Sequence, residues 1–386
     1  MLDSLLIKNF RSLEHLEVPK LGRVNLLVGK NNCGKSTVLE ALRIYAGNAH
    51  RPLLESIARG HDERYQISES IPLDDETLLP FQDFFTGRCF PRDDQTAIEI
   101  GSIRSPEARL VIRYALLEEV EETIEDEQKG VINRVRRSLF SPDEEVETDV
   151  DLQPVFVIQR AGKVWPLMKL MVTAVRSRLL YESIPTQACS LVPTEFISMD
   201  ELADAWDSVA LTEQEEVVKR ALRIIEPNFE SLVFVRADAS PNGLRSRSTT
   251  RTAMVKLTGI ARPVPLNSLG DGMLRVLQLS LKLFAAKGGF FLIDEFENGL
   301  HYSVQEKVWA LLFEMAELYQ IQIFATTHSW DCIESFTKVA VARTQTDGVL
   351  FRLGRSVRTS DQGRVIATVF DEAALQNITQ HDVEVR

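Results

Sequence analysis

The sequence predicts an α/β fold built on an open sheet, and three stretches predict it. An apolar run, Val24–Val28, reads as a buried strand; it opens directly into Gly29-Lys30-Asn31-Asn32-Cys33-Gly34-Lys35-Ser36, and Thr37-Val38-Leu39-Glu40-Ala41-Leu42 continues as a helix. A second run, Phe290–Ile293, ends in two carboxylates, Asp294 and Glu295. A third, Ile321–Thr326, ends at Thr327-His328-Ser329. Strands that finish in chemistry-bearing residues suit an open α/β sheet, whose ligands sit beyond the carboxyl ends of the strands.

The first stretch fits the phosphate-binding loop pattern GxxxxGK[ST], with the strand before and helix after that the pattern requires. Its glycines let successive backbone N–H groups turn inward around an anion. Lys35 would reach the β- and γ-phosphates of a nucleotide, Ser36 would place its hydroxyl on a magnesium ion, and the helix N-terminus would face the phosphates. Asp294 would hold the same ion, directly or through water, and Glu295 would polarise an attacking water; the other reading of paired acids after a strand is a helix N-cap. His328, one strand beyond the acids, could hydrogen-bond a γ-phosphate or position water. Leu266-Asn267-Ser268-Leu269-Gly270-Asp271-Gly272 is a glycine-bearing turn that runs into an apolar helix over Met273–Ala285, a second anion site.

A chain of 386 residues has room for one large or two ordinary domains. With 44% hydrophobic and 26% charged residues it reads as an ordinary soluble globular protein. No apolar run approaches the ~20 residues that span a bilayer, so no membrane partner is expected. The N-terminal segment lacks the basic region and small-residue cleavage site of a signal peptide. Cys33, Cys89, Cys189 and Cys332 form no CxxC pair, which fits a reduced cytoplasm and argues against zinc. A net charge of −12 disfavours a surface coated in non-specific DNA contacts.

Taken in order, Leu5–Leu13 and Leu16–Val18 read as two strands ahead of the phosphate-binding loop, an antiparallel flap. Arg11 in the turn is either a guanidinium that stacks on a base or reaches a phosphate, or a solvated turn arginine. Residues 38–60 read as the loop helix and a polar continuation. Ala97–Ile100, Arg109–Tyr114 and Val155–Ile158 alternate like strands, while 117–150 reads as an acidic, solvated excursion with Arg134–Arg137 as surface. Thr194–Ser198 is expected as a short buried strand, Glu201–Ile225 as one amphipathic helix stopped by Pro227, and Leu232–Val235 as a strand. Leu244–Arg251 is a basic loop that could touch nucleic acid or a partner's acidic surface, or an idle hairpin tip. A helix is expected over Ser303–Leu318, strands at Val339–Ala342 and Gly348–Leu353, and a helical tail at Phe370–Arg386.

Together these residues resemble the ABC-type ATPases of the OLD, RecF, Rad50 and SMC group, and most of all the stand-alone OLD-related bacterial AAA ATPases of anti-phage systems such as PARIS and Septu. Ile7–Ser12 resembles their N-terminal strand with its adenine-side arginine, Gly29–Thr37 their Walker A, Ser268–Gly272 their signature, Phe291–Glu295 their Walker B with its adjacent glutamate, Glu297–His301 their D-loop, and His328 their switch histidine. Gly363–Arg386 is similar to that family's ending. The fold implied is an α/β ABC-type P-loop ATPase head with an N-terminal antiparallel β flap and a large α+β insertion between Walker A and the signature. Residues 1–60 and 261–386 would form the head and 61–260 the insertion. The resemblance implies ATP and Mg2+ as cofactors, with Arg11, Asn31, Asn32, Gly34, Lys35, Ser36 and Thr37 on ATP, Ser36 and Asp294 on the metal, and Glu295 and His328 catalytic. It also implies a homodimer of heads, or a higher homo-oligomer, in which Ser268, Gly270 and Gly272 act on the partner's nucleotide. The signature reads Ser-Leu-Gly-Asp-Gly where Leu-Ser-Gly-Gly-Gln is usual, so either Ser268 or Gly270 takes the serine position; no Q-loop glutamine is placed. No long heptad run interrupts the chain, and no nuclease domain follows His328. The function implied is a cytoplasmic sensor or scaffold for a separate effector such as a nuclease or toxin, triggered by nucleic acid or a phage protein. The alternative is a RecF-like DNA-repair ATPase.

Overall fold

Val24–Val28 does form a strand buried on both faces, and the protein is layered around the sheet it belongs to. The computed structural model describes all residues except 64–75, 94, 127–129, 145–149, 174–185, 237–250, 344–346, 359, 360, 362 and 371–386. The chain opens with an antiparallel pair, β1 (Leu5–Phe10) and β2 (Leu13–Val18), turning at Arg11 and Ser12. The buried strand is β3 (Val24–Val28); helices α1 (Lys35–Ala46) and α2 (Arg51–Gly60) follow, the second with Pro52 in its first turn. A short strand, β4 (Glu76–Leu78), comes next. Then β5 (Ile98–Gly101), β6 (Leu110–Asp126), β7 (Gly130–Phe140), β8 (Leu152–Arg160), β9 (Lys163–Val164) and β10 (Met168–Lys169) extend the opening pair into one antiparallel sheet. Its order is β10-β8-β6-β5-β1-β2, with β7 on β6 and β9 on β8. Strand β11 (Met171–Thr173) pairs with β4.

The second sheet joins β12 (Cys189–Val192), β16 (Phe290–Ile293), β17 (Gln322–Thr327), β18 (Gly348–Arg355) and β19 (Val365–Phe370) to β3. The order is β12-β16-β17-β3-β18-β19, parallel throughout except for β19. A three-stranded sheet of β13 (Phe229–Arg236), β14 (Arg251–Leu257) and β15 (Val264–Pro265) lies beyond it. The remaining helices are α3 (Met199–Val209), α4 (Glu213–Leu222), α5 (Asp271–Phe284), α6 (Tyr302–Leu318) and α7 (Trp330–Ala342).

Alternation along the parallel strands divides the core in two. Val24, Leu26, Phe291, Ile293, Ile323 and Ala325 pack with α3–α7 on one face. Leu27, Phe290, Leu292 and Phe324 pack with α1, α2 and the antiparallel sheet on the other. Two buried amides stitch the base of the sheet. Asn25 bonds both backbone groups of Gly22 and the carbonyl of Ile323, and Gln322 bonds the N–H and C=O of Leu2 and the carbonyl of Gly22.

Several local expectations are corrected. Thr194–Ser198 is not a strand; the strand is β12, and it enters the parallel sheet beside β16, so residues 61–260 contribute the edge strand of that sheet. Glu201–Ile225 is two helices, because Leu211 takes φ 63° and Thr212 caps a new one, accepting from the N–H of Gln214 while Glu215 reaches back to the N–H of Leu211. Val339–Ala342 ends helix α7, whose Ile333, Phe336 and Ala340 recur at helical spacing on the core. The acidic excursion is a long β6–β7 hairpin, whose register sets Glu119 against Arg137, and the two side chains form an ion pair across the ladder. Residues 244–250 of the basic loop and 371–386 of the tail lie outside the described residues.

Candidate nucleotide site

The site is assembled at the carboxyl ends of β3, β16 and β17, three neighbouring strands with β17 in the middle. The loop after β3 needs its glycines. A Cβ on Gly29 would sit 2.4 Å from the carbonyl oxygen of Leu353, and Gly34 takes φ 93°. Asn32 also adopts a left-handed φ of 60°, a conformation asparagine tolerates better than most. Helix α1 begins at Lys35 with no side-chain cap, leaving its first N–H groups for an anion. Lys35 arches over the loop and donates to the carbonyls of Gly29 at 2.8 Å and Lys30 at 3.1 Å.

Ser36 and Asp294 come together across 258 residues: the Ser36 hydroxyl lies 3.0 and 3.2 Å from the two carboxylate oxygens. Asp294 is fixed by two neighbours, its N–H donating to Val192 O and its Oδ1 accepting from Thr326 Oγ1 at 2.6 Å. The same Thr326 oxygen accepts the N–H of Glu295 at 2.8 Å. Glu295 itself takes φ 48°, a left-handed conformation that costs of order 1 kcal/mol in a residue with a Cβ. That turn aims its side chain toward His328, whose Nδ1 lies 3.7 Å from Glu295 Oε1. Phe296, stacked on Trp309 with ring centroids 3.8 Å apart, anchors the turn into the core.

The residue that sequence reasoning missed here is Arg275. It lies in α5, is fully buried, and donates to the carbonyls of Pro193 (2.7 Å), Asp294 (2.7 Å) and Glu295 (2.8 Å). Burial pushes its pKa down to about 10, with Asp294 as the largest opposing attraction, so the guanidinium stays charged near neutrality. The available signal was a lone arginine inside an otherwise apolar helical stretch, which is costly without dedicated acceptors. Thr326 was missed too, having been read only as the end of a strand.

The turn before α5 is a one-turn helix over Leu266–Leu269. Gly270, at φ 90°, caps α5, so Asp271 and Gly272 belong to the first turn of the helix. A Cβ on Gly272 would sit 3.2 Å from the carbonyl of Gly299, which brings the loop after β16 against this helix start. Ser268, Gly270 and Asp271 are exposed, and Ser268 donates to Pro265 O at 2.6 Å.

Arg11 is not solvated. It takes φ 52°, its Nη atoms bind Glu63 at 2.6 and 3.2 Å, its Nε faces Glu40 Oε2 at 3.1 Å, and its guanidinium lies 5.0 Å from the Phe84 ring centroid. His61 bonds the other oxygen of Glu40. That hydrogen bond, more than the opposing burial, raises the pKa of His61. The folded value thus exceeds the unfolded one, so the stabilisation is complete below about pH 6.5 and is lost as pH rises through the folded value. We expect the melting temperature of the parent to exceed that of His61→Gln most at pH 6 and to converge with it by pH 9. A gap that widens with pH would show that the pairing is not what holds this corner. The effect is small, because His61 is half exposed.

With P-loop, paired acids and intervening strand in one arrangement, fold and site are those of a P-loop ATPase. Residues 1–159 match the family described as "AAA ATPase domain", and residues 194–331 match the one described as "AAA domain, putative AbiEii toxin, Type IV TA system". The "ATP/GTP phosphatase" of Helicobacter pylori is 23% identical over 357 residues, 88% of each chain. An "Uncharacterized protein MJECL10" of Methanocaldococcus jannaschii is 44% identical over 45 residues, 12% of this chain and 20% of that protein. Among solved structures, the SMC head domain from Thermotoga maritima is 13% identical at a TM-score of 0.40, covering 95% of this chain and 98% of that one. An Smc head with an extended coiled coil, bound to the C-terminal domain of ScpA derived from Pyrococcus furiosus, is 12% identical at a TM-score of 0.45, with both chains covered in full. No helix among the described residues is long and apolar enough to cross a membrane.

Proposed function

We propose that this ATPase works as two heads that close on ATP, and that closure is the signal by which it senses or scaffolds for an effector on a separate chain, in anti-phage defence. The observation that carries the reading is the start of α5. It is exposed and has no side-chain cap, and no hydrogen bond joins Ser268, Gly270 or Gly272 to the P-loop of the same chain among the described residues. An uncapped helix start on the surface is spare within one head and useful on a partner's γ-phosphate. The family matched over residues 194–331 carries a putative toxin and a toxin–antitoxin system in its description, which supports the defence setting.

Within each head, the N–H groups of Asn31, Asn32, Gly34 and Thr37 would cradle the phosphates, and Lys35 would exchange its loop carbonyls for phosphate oxygens. Arg11 would reach the nucleotide by exchanging Glu63 or Glu40 for it. The Ser36 hydroxyl and the Asp294 carboxylate, already in contact, are the hard oxygen donors that suit Mg2+. They would hold that ion, which when bound neutralises phosphate charge. Glu295 would orient water and take its proton, and His328 would meet the γ-phosphate or that water.

The test is complementation. A Lys35→Ala chain and a Gly272→Arg chain, each inactive alone, should regain activity on mixing, because one of the two composite sites then has both an intact loop and an intact signature. Mixed dimers with no activity would rule out action in trans. Co-purification with the product of a neighbouring gene would identify the effector. A DNA-gripping ATPase of the RecF kind is not favoured: of the basic loop, the described Arg251 is engaged by Asp204 and Asp207.

A further inference from the structure

Glu297 is a carboxylate the mechanism above does not use, and its surroundings are unusual. It lies in the turn between β16 and α6 with 13% of its side chain exposed. Oε1 accepts the backbone N–H of His328 at 3.0 Å and sits 3.3 Å from Nδ1 of the same residue's ring. Oε2 is buried with no hydrogen-bond partner. Among the described residues no lysine or arginine comes within ion-pair distance of it. The attraction of Arg275, whose own Nε is buried without a partner, reaches it from farther away. A carboxylate this buried is costly unless something charged or polar answers it, and the group in direct contact is His328.

We propose that Glu297 is the positioning residue for His328. A carboxylate only accepts, so a ring nitrogen facing it carries its proton there. The oxygen that accepts the backbone N–H of His328 also lies 3.3 Å from its Nδ1, which restrains the ring's rotation and favours the proton on Nδ1. The Nε2 end of this half-exposed side chain is thereby left for the γ-phosphate or the attacking water. Glu295, 3.7 Å from the same Nδ1, is then free to act on water instead of on the histidine. The inference rests on the reading of His328 as the residue that meets the reacting phosphate.

The test uses the full chain with 15N-labelled histidine, recorded at alkaline pH, where a neutral ring reports its tautomer; the His328 signals are assigned by their loss in His328→Gln. The parent and Glu297→Gln should show Nδ1–H, since an amide oxygen still accepts from both donors. Glu297→Ala should move to the Nε2–H form that a free imidazole prefers. Turnover of ATP in Glu297→Ala should fall roughly 10–100-fold in kcat with KM nearly unchanged, while Glu297→Gln keeps most of the parental rate. Glu297→Ala combined with His328→Gln should be no slower than His328→Gln alone. If His328→Gln slows turnover but Glu297→Ala keeps the parental tautomer and kcat, the proposal falls and the reading of His328 stands. If His328→Gln turns over at the parental rate, the reading falls and takes the proposal with it.

Discussion

Glu295→Gln is expected to bind ATP as the parent does and to hydrolyse it roughly 10²–10⁴-fold more slowly. Glutamine keeps the volume and the hydrogen-bonding reach, but it takes no proton. The backbone that aims the side chain is held independently of the carboxylate, by Thr326 at the N–H and by Arg275 at the carbonyl, so the substitution leaves the left-handed turn in place. If ATP joins two heads, this variant should also accumulate as the associated form in light scattering with ATP and Mg2+, with Lys35→Ala as the control that does not. Turnover at the parental rate would move the role of base to another group, and His328 is the next to replace.

Arg275→Met should be the most damaging single change outside the nucleotide contacts themselves. It strips three partly buried carbonyls of a charged donor at once, and each such bond contributes about 1.5–3 kcal/mol. Methionine restores part of the volume but none of the bonds. We expect a loss of roughly 3 kcal/mol or more in urea unfolding, together with a fall in turnover larger than the stability loss explains at temperatures where the variant is folded. Lysine at this position should rescue little, because an ammonium does not offer the planar fork that spans Pro193, Asp294 and Glu295. A variant with parental stability would mean that the three carbonyls find other donors.

The sheet was legible wherever apolar runs met glycine or acid pairs. β3, β16 and β17 carry the strongest local signals in the chain, and the residues at their ends, Ser36 and Asp294, meet in space. Less legible were positions whose role is set by a distant partner. Arg275 reads locally as one polar residue in a helix, and only the arrival of Asp294, Glu295 and Pro193 carbonyls explains it. Strand β12 was displaced by five residues in the reading because Phe196 and Ile197 look like core, while Phe196 is 42% exposed. The break at Leu211 was readable and missed: Thr212-Glu213-Gln214-Glu215 is a capping box, which starts a helix instead of continuing one. The β6–β7 hairpin was hidden because a charge run on one strand looks solvated until its opposite appears across the ladder.

The place of β3 between β17 and β18 has a consequence for how the protein is made. Asn25 bonds Ile323 across 298 residues, and Leu2 bonds Gln322 across 320. A nascent chain therefore carries a strand that is buried on both faces in the finished fold, and the nucleotide loop attached to it, for nearly the whole of synthesis with neither neighbour to pair with. The antiparallel strands β5 to β10, which follow one another closely, can pair as they emerge, whereas the ATP-binding half assembles only once the last fifth of the chain is out. Such long-range closure is slow and leaves apolar edges open to wrong partners. A ribosome-stalled chain ending before β17 should thus bind chaperone and no ATP, and release a nucleotide-competent head only after β18 has cleared the exit.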